Sequence, residues 1–169
     1  AEEQGLLGSK YYAENPIVTL DKTVANINMD AMNVLGRTKD VGVVGMGKSD
    51  IEENLEKAVK RQGRVLTQED NPEAGIYYRS DHFSFAKVGV PALYAKGGSE
   101  PIDEATAEYR KRTNLVVRGC YHQVCDQFRE NWDFGGVQED TQMLFEVGYD
   151  IANSGTWPQW SATSEFQRK

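Results

Sequence analysis

Apolar and polar positions along this chain repeat with two different periods, and the switches between them mark the elements. In "EEQGLLGSKYYAEN", Leu6, Leu7, Tyr11 and Tyr12 fall at helical spacing with Pro16 just beyond, which predicts a first helix already under way at Glu2. "TVANINMD" is β-branched and apolar, so it predicts a buried strand closing on Asp30, and "DVGVVGMG" predicts a second short strand. Ser49 is the expected N-cap of the helix "DIEENLEKAVKRQG", with Glu52 completing a capping box. Ile51, Leu55 and Val59 form the inner stripe of that helix, and Gly63 stops it. "RVLTQED" predicts a third strand, "NPEAG" a turn, and "SDHFSFAKVGV" a short helix capped by Ser80 or Asp81. "PALYAKGG" predicts a fourth strand. "PIDEATAEYRKRT" fits a short helix, while "GGSEPIDEA" fits a mobile loop equally well. A long helix, "GGVQEDTQMLFEVGYDIANSG", carries Val137, Met143, Leu144, Val147 and Ile151 on one stripe, and the tail over 154–169 has no usable pattern.

Strands alternating with helices predict an α/β fold: a mostly parallel sheet covered on both faces. Ligands of such sheets collect beyond the carboxyl ends of strands. Asp30 ends one strand, and Glu2 and Glu3 would follow another lying upstream of the first residue. There are no internal repeats and no low-complexity tract.

Composition narrows the function classes. A net charge of -7 argues against nucleic acid, whose phosphates need clustered Lys and Arg; "EYRKRTN" is too short to supply them. No apolar run approaches the roughly 18 residues that span a bilayer. The two cysteines, Cys120 and Cys125, flank His122 in "RGCYHQVCD". That spacing is compatible with a disulfide, with a thiolate metal pair lacking its usual companions, or with two buried free thiols, so the redox compartment stays open.

Single residues carry little here. Adjacent glutamates at a helix start favour the helix dipole, an Asp at a strand end is an ordinary turn residue, and each of the two histidines, His82 and His122, taken alone fits a hydrogen-bonded structural role. Together they say more. "AEEQGLLGS", "INMD", "SDHFSFAKVGVPAL" and "YHQVCD" occur in an order and at intervals that resemble the co-catalytic zinc exopeptidases of metallopeptidase family twenty-eight. Bacterial aminopeptidases, glutamate carboxypeptidases and glutaminyl cyclase relatives belong to that family, and the resemblance runs from Glu2 to about Asn153.

The resemblance implies a three-layer α/β/α sandwich and a hydrolysis of peptide bonds by metal-activated water. Glu2 would be the general base, Glu3, Asp30 and His122 zinc ligands, and Tyr121 the stabiliser of the tetrahedral intermediate. Asp126 matches an acidic position that supports the site from behind. Asp81 and His82 match a motif beside the substrate pocket, outside the zinc shell. These residue types suit the chemistry. Zinc takes His nitrogen and carboxylate oxygen while keeping a position for water. A non-ligating carboxylate moves the proton, and a hydroxyl donor meets the oxyanion.

Two further family ligands, a His-x-Asp histidine and a metal-bridging aspartate, precede the Glu-Glu pair in the family pattern and so lie outside this sequence. The expectation is therefore the C-terminal portion of a catalytic domain over 1–169, lacking its N-terminal strands, with two zinc ions per complete site in the family and a partial or absent site here. The partner is a peptide substrate, with self-association through an exposed sheet edge as a further expectation. Periplasmic or secreted location follows from the resemblance to large bacterial members. A non-catalytic, degenerate peptidase-like domain and cyclase-type transfer are the alternatives, and amino- versus carboxypeptidase preference is open.

Overall fold

The structure, a computed structural model, describes residues 2–168. Five helices and four strands follow in the order α1 (Leu7–Glu14), β1 (Asn26–Asn28), β2 (Asp40–Val43), α2 (Ile51–Arg61), β3 (Val65–Gln68), α3 (His82–Lys87), β4 (Ala92–Gly97), α4 (Glu104–Cys120) and α5 (Gly135–Ser154). The sheet order is β1-β4-β2-β3. β1 pairs with β4 and β2 with β3 in parallel, but β2 and β4 run antiparallel. The α/β class and mostly parallel sheet thus hold, with one reversal at the centre. That reversal points the carboxyl ends of β1 and β4 one way and those of β2 and β3 the other.

One face of the sheet is sealed by α2 and α5. Val41, Val43, Leu93 and Ala95 of the strands meet Ile51, Leu55 and Val59 of α2 and Met143, Leu144, Val147 and Ile151 of α5. Each of the Val, Leu, Ile and Met side chains here gains about 1.5–3 kcal/mol from leaving water. Both helical stripes lie where their periodicity put them. The opposite face carries a smaller cluster of Val44, Tyr77, Ala86, Ala92, Tyr94, Trp160 and Phe166. Trp160 and Phe166 come from the patternless tail. Trp160 donates its indole N–H to the Gly89 carbonyl at 3.0 Å, and Phe166 stacks on Tyr77.

Several local expectations are corrected. Gly5 and Leu6 have φ of 97° and 60°, and the Glu2 carbonyl accepts from both their N–H groups. The left-handed turn delays α1 to Leu7, so Glu2 and Glu3 stand in the turn before it. β1 ends at Asn28, two residues short of Asp30. Ser49 does not cap α2. The Glu52 carboxylate reaches back instead to the N–H groups of Gly47 (2.8 Å) and Lys48 (3.2 Å), outside the helix. Asp81 makes no side-chain cap for α3. After β4, residues 98–103 form a loop and Glu104–Cys120 a helix of 17 residues, which Asp103 caps by accepting from Thr106 N–H at 2.7 Å.

The buried Arg64–Asp140 ion pair, 2.9 Å apart, joins α5 to the start of β3. Arg64 also donates to Thr38 Oγ1 and the Asp40 carbonyl, and Asp140 accepts from Gly97 N–H. Arg64→Met leaves a buried carboxylate without its cation and should cost about 3–5 kcal/mol in urea unfolding, with most of the loss recovered in Arg64→Met/Asp140→Leu. A single variant as stable as wild type would contradict that role.

Candidate functional site

The predicted site residues come from four places in the chain. Glu2 and Glu3 stand in the turn before α1, and Asp30 lies just past β1. Asp81 and His82 open α3, and Tyr121, His122 and Asp126 lie in the turns after α4. His122 Nε2 contacts Glu3 Oε2 at 2.9 Å. The Tyr121 and His122 rings stack with centroids 3.8 Å apart. His122 has φ of 59°, a left-handed conformation uncommon for a residue with a Cβ. A Cys120–Cys125 disulfide closes the chain around that turn. Of the three readings left open for the cysteines, the disulfide is therefore the one that the fold adopts.

Asp30 is oriented by a relay from the sheet. Asn28 Nδ2 donates to Ser80 Oγ at 2.7 Å, Ser80 Oγ donates to Asp30 Oδ2, and Asp30 Oδ1 accepts from Ala31 N–H. Ser80, an expected helix cap, instead fixes a carboxylate. Its sequence signal was ambiguous because capping and second-layer support use the same hydroxyl.

The charges of these groups are felt mutually. Slight desolvation, followed by the carboxylates of Glu3, Asp30 and Asp81, pushes the Glu2 pKa above its ordinary value, against the pull of His122. Desolvation and the carboxylates of Glu3, Asp30, Glu2 and Asp126 raise that of Tyr121, which holds its phenol protonated. Tyr94 of β4, missed by sequence reasoning, has a buried phenol within the fields of Asp30, Tyr121 and Glu2, and burial raises its pKa. A Tyr inside an apolar strand carries no signal that distinguishes it from core.

His82 stands apart from this group. It is fully buried, its ring 4.5 Å from the Tyr77 ring and 5.3 Å from that of Tyr94, and neither ring nitrogen has a hydrogen-bond partner among the described residues.

Imidazole nitrogen and carboxylate oxygen are the donor types of catalytic zinc, so the group fits that metal in kind. Among the described residues no three His, Cys, Asp or Glu side chains converge closely enough to share one ion. Direct approach is limited to Glu3 and His122.

The model of Peptidase family M28 matches residues 1–146, most of the chain and every residue of the group just described. The chain belongs to that family. No solved structure matches it. Membership makes peptidase chemistry the frame for these residues, and in this M28 chain the acidic turn, the Ser80-held aspartate and the disulfide-bounded His122 all lie inside the matched region.

Burial lowers the His82 pKa from 6.5 to about 4, while Asp30 and Asp81 pull it upward. The unfolded chain then binds a proton that the folded chain refuses between those values, so this contribution is complete above pH 6.5 and is lost as pH falls toward 4. The loss is on the order of 3 kcal/mol. His82→Leu should flatten the stability profile between pH 6.5 and 4 in urea titrations; an unchanged acid limb would contradict the assignment.

Proposed function

We propose that the chain serves as a zinc-dependent exopeptidase, with Glu2 as the proton carrier and Glu3 and His122 as metal ligands. The observation that carries the reading is the 2.9 Å approach of His122 to Glu3 beside a carboxylate of raised pKa. Asp30, held by Ser80 and Ala31, is the third ligand in this reading. Zinc, when bound, supplies a water acidic enough to act near neutrality.

The chain's own groups then have separable tasks. Glu2, next to Glu3 but not in contact with His122, takes a proton from the attacking water and delivers it to the leaving amine. Its raised pKa brings it nearer to the working range for that exchange. Tyr121, kept protonated, donates its hydroxyl to the oxyanion. The disulfide on either side of His122 limits the freedom of its turn.

Glu2→Gln should lower the turnover of a chromogenic aminoacyl or acyl-amino-acid substrate by about 10²–10⁴-fold while leaving calorimetric zinc binding intact. His122→Ala should abolish zinc binding. A second reading, a non-catalytic domain with weak or no metal binding, is favoured by the lack of three convergent ligands among the described residues. Absence of zinc heat with wild type, or equal heat after His122→Ala, selects that reading.

Export to a periplasmic or extracellular compartment belongs to the same proposal and rests on the disulfide. Protein isolated without reductant should show neither Cys120 nor Cys125 labelled by an alkylating agent, as read by mass. Labelling of both would contradict export.

A further inference from the structure

Between the end of α4 and Phe128 the chain has little tertiary support, yet it carries His122. Every residue over 121–128 is exposed, and none of them lies in a helix or strand. Val124 is 93% exposed. The next fixed points along the chain are Phe128, whose ring stacks on that of Phe134, and Asn131, whose carbonyl accepts from the Tyr109 hydroxyl at 2.9 Å.

The anchors within this stretch are few. Gln123 N–H donates to the Cys120 carbonyl at 2.8 Å, and Asp126 N–H to the Gln123 carbonyl at 2.9 Å. Arg129 Nη2 donates to the Cys125 carbonyl at 3.2 Å. Exposed hydrogen bonds are exchanged for bonds to water at little net gain, and the contact of His122 with Glu3 is too exposed to contribute much. His122 nonetheless holds a φ of 59°, a region in which a residue with a Cβ persists only when its surroundings impose it. The covalent restraint on this turn is the Cys120–Cys125 bond, which ties the last residue of α4 to the far side of the turn with His122 enclosed. Closing so short a loop leaves its backbone few alternatives.

That bond is open to exchange. Cys125 is exposed and Cys120 half-buried. Arg129 Nη2 also lies 3.6 Å from Cys120 Sγ, and a cation there favours the thiolate, against the opposing dipole at the C-terminal end of α4. One sulfur is therefore presented for attack, while the other leaves toward a guanidinium. Exposed disulfides of this kind are the labile ones, in contrast to buried structural bridges.

We propose that Cys120–Cys125 is a reversible redox bond that decides whether His122 is presented to Glu3. In the dithiol state, residues 121–127 hang between α4 and Phe128, and His122 leaves its left-handed conformation. In the disulfide state His122 is fixed opposite Glu3. Closure uses a donor disulfide: the Cys125 thiolate attacks it and releases one donor thiolate, and the Cys120 thiolate then attacks the Cys125 sulfur and releases the second. Two cysteine thiols lose two electrons, and the donor is reduced to two thiols that take up the two protons. A dithiol reductant reverses these steps. The consequence for activity rests on the metal and export readings above: a chain in a thiol-reducing compartment has its site loosened, and oxidation on export completes it. The hold on His122 rests on neither reading.

Amide hydrogen exchange and calorimetric zinc titration of the full chain read these two levels separately. Three forms are compared: the oxidised chain, the same chain reduced with a phosphine, and Cys120→Ser/Cys125→Ser, which has no thiol to bind metal. In the reduced and doubly substituted chains the Gln123 and Asp126 amides should exchange at least about tenfold faster than in the oxidised chain, with those of α2 and α5 unchanged. With His122 in its site conformation about a tenth of the time, zinc affinity falls about tenfold in both. Reoxidation by a small disulfide such as oxidised glutathione should restore both values in the wild-type chain and neither in the double variant.

Equal exchange at Gln123 and Asp126 in all three forms overturns the proposal, as does equal zinc affinity in the oxidised and doubly substituted chains. Zinc held tightly by the reduced chain but weakly by the double variant makes the thiols the ligands and also overturns it. Redox-dependent exchange with no zinc uptake by any form supports the hold on His122 and contradicts the zinc-site reading. Hydrolysis and zinc binding that ignore the redox state do the reverse.

Discussion

The buried Arg64–Asp140 pair is the constraint around which the rest is arranged. Its two charges are almost fully removed from water, at 3% and 1% side-chain exposure, so each is tolerable only because the other is present. Through its remaining donors and acceptors the pair holds four separate stretches: the β2 start through Thr38 and Asp40, the β4 end through Gly97, the end of α2 through Gln62, and the first turns of α5. Asp40, fixed at that point, turns its own carboxylate to the N–H groups of Ser99 and Glu100. The loop between β4 and α4 is thereby anchored, and with it the position from which α4 starts toward the disulfide and His122.

That chain of anchoring explains how an exposed site can be ordered. Glu3 and His122 are both about half exposed, and an isolated contact between such groups contributes little stability. Their positions are set from behind instead. Ser80 and Asn28 hold Asp30, the disulfide bounds the His122 turn, and His82 fills the space beneath with Tyr77 and Tyr94. His82 is thus a packing residue in contact with the site's foundations. Its neutrality at ordinary pH leaves the field there to the carboxylates.

Much of the fold was legible because the core-forming stripes are strong. α2 and α5 follow directly from the spacing of Ile51, Leu55 and Val59 and of Met143, Leu144 and Val147, and all four strands lie within apolar runs bounded by turns. What failed was local punctuation. Ser49 and Glu52 have the capping-box spacing, yet Glu52 serves backbone groups of the preceding loop. The extent of α4 was hidden by a surface rich in charge, with Thr113 its one buried residue. The tail gave no period because Trp160 and Phe166 fill a cleft one at a time, without forming a repeating face.

The sequence by itself determined the family and the α/β class, since these depend on residue type, order and spacing. The tertiary structure decided the environments of the candidate residues. It placed His122 against Glu3, turned Ser80 from helix cap to carboxylate support and buried His82 as a neutral ring. Those outcomes depend on contacts between residues dozens of positions apart and on the reversed direction of β4 at the centre of the sheet. Neither leaves a periodic trace in the chain.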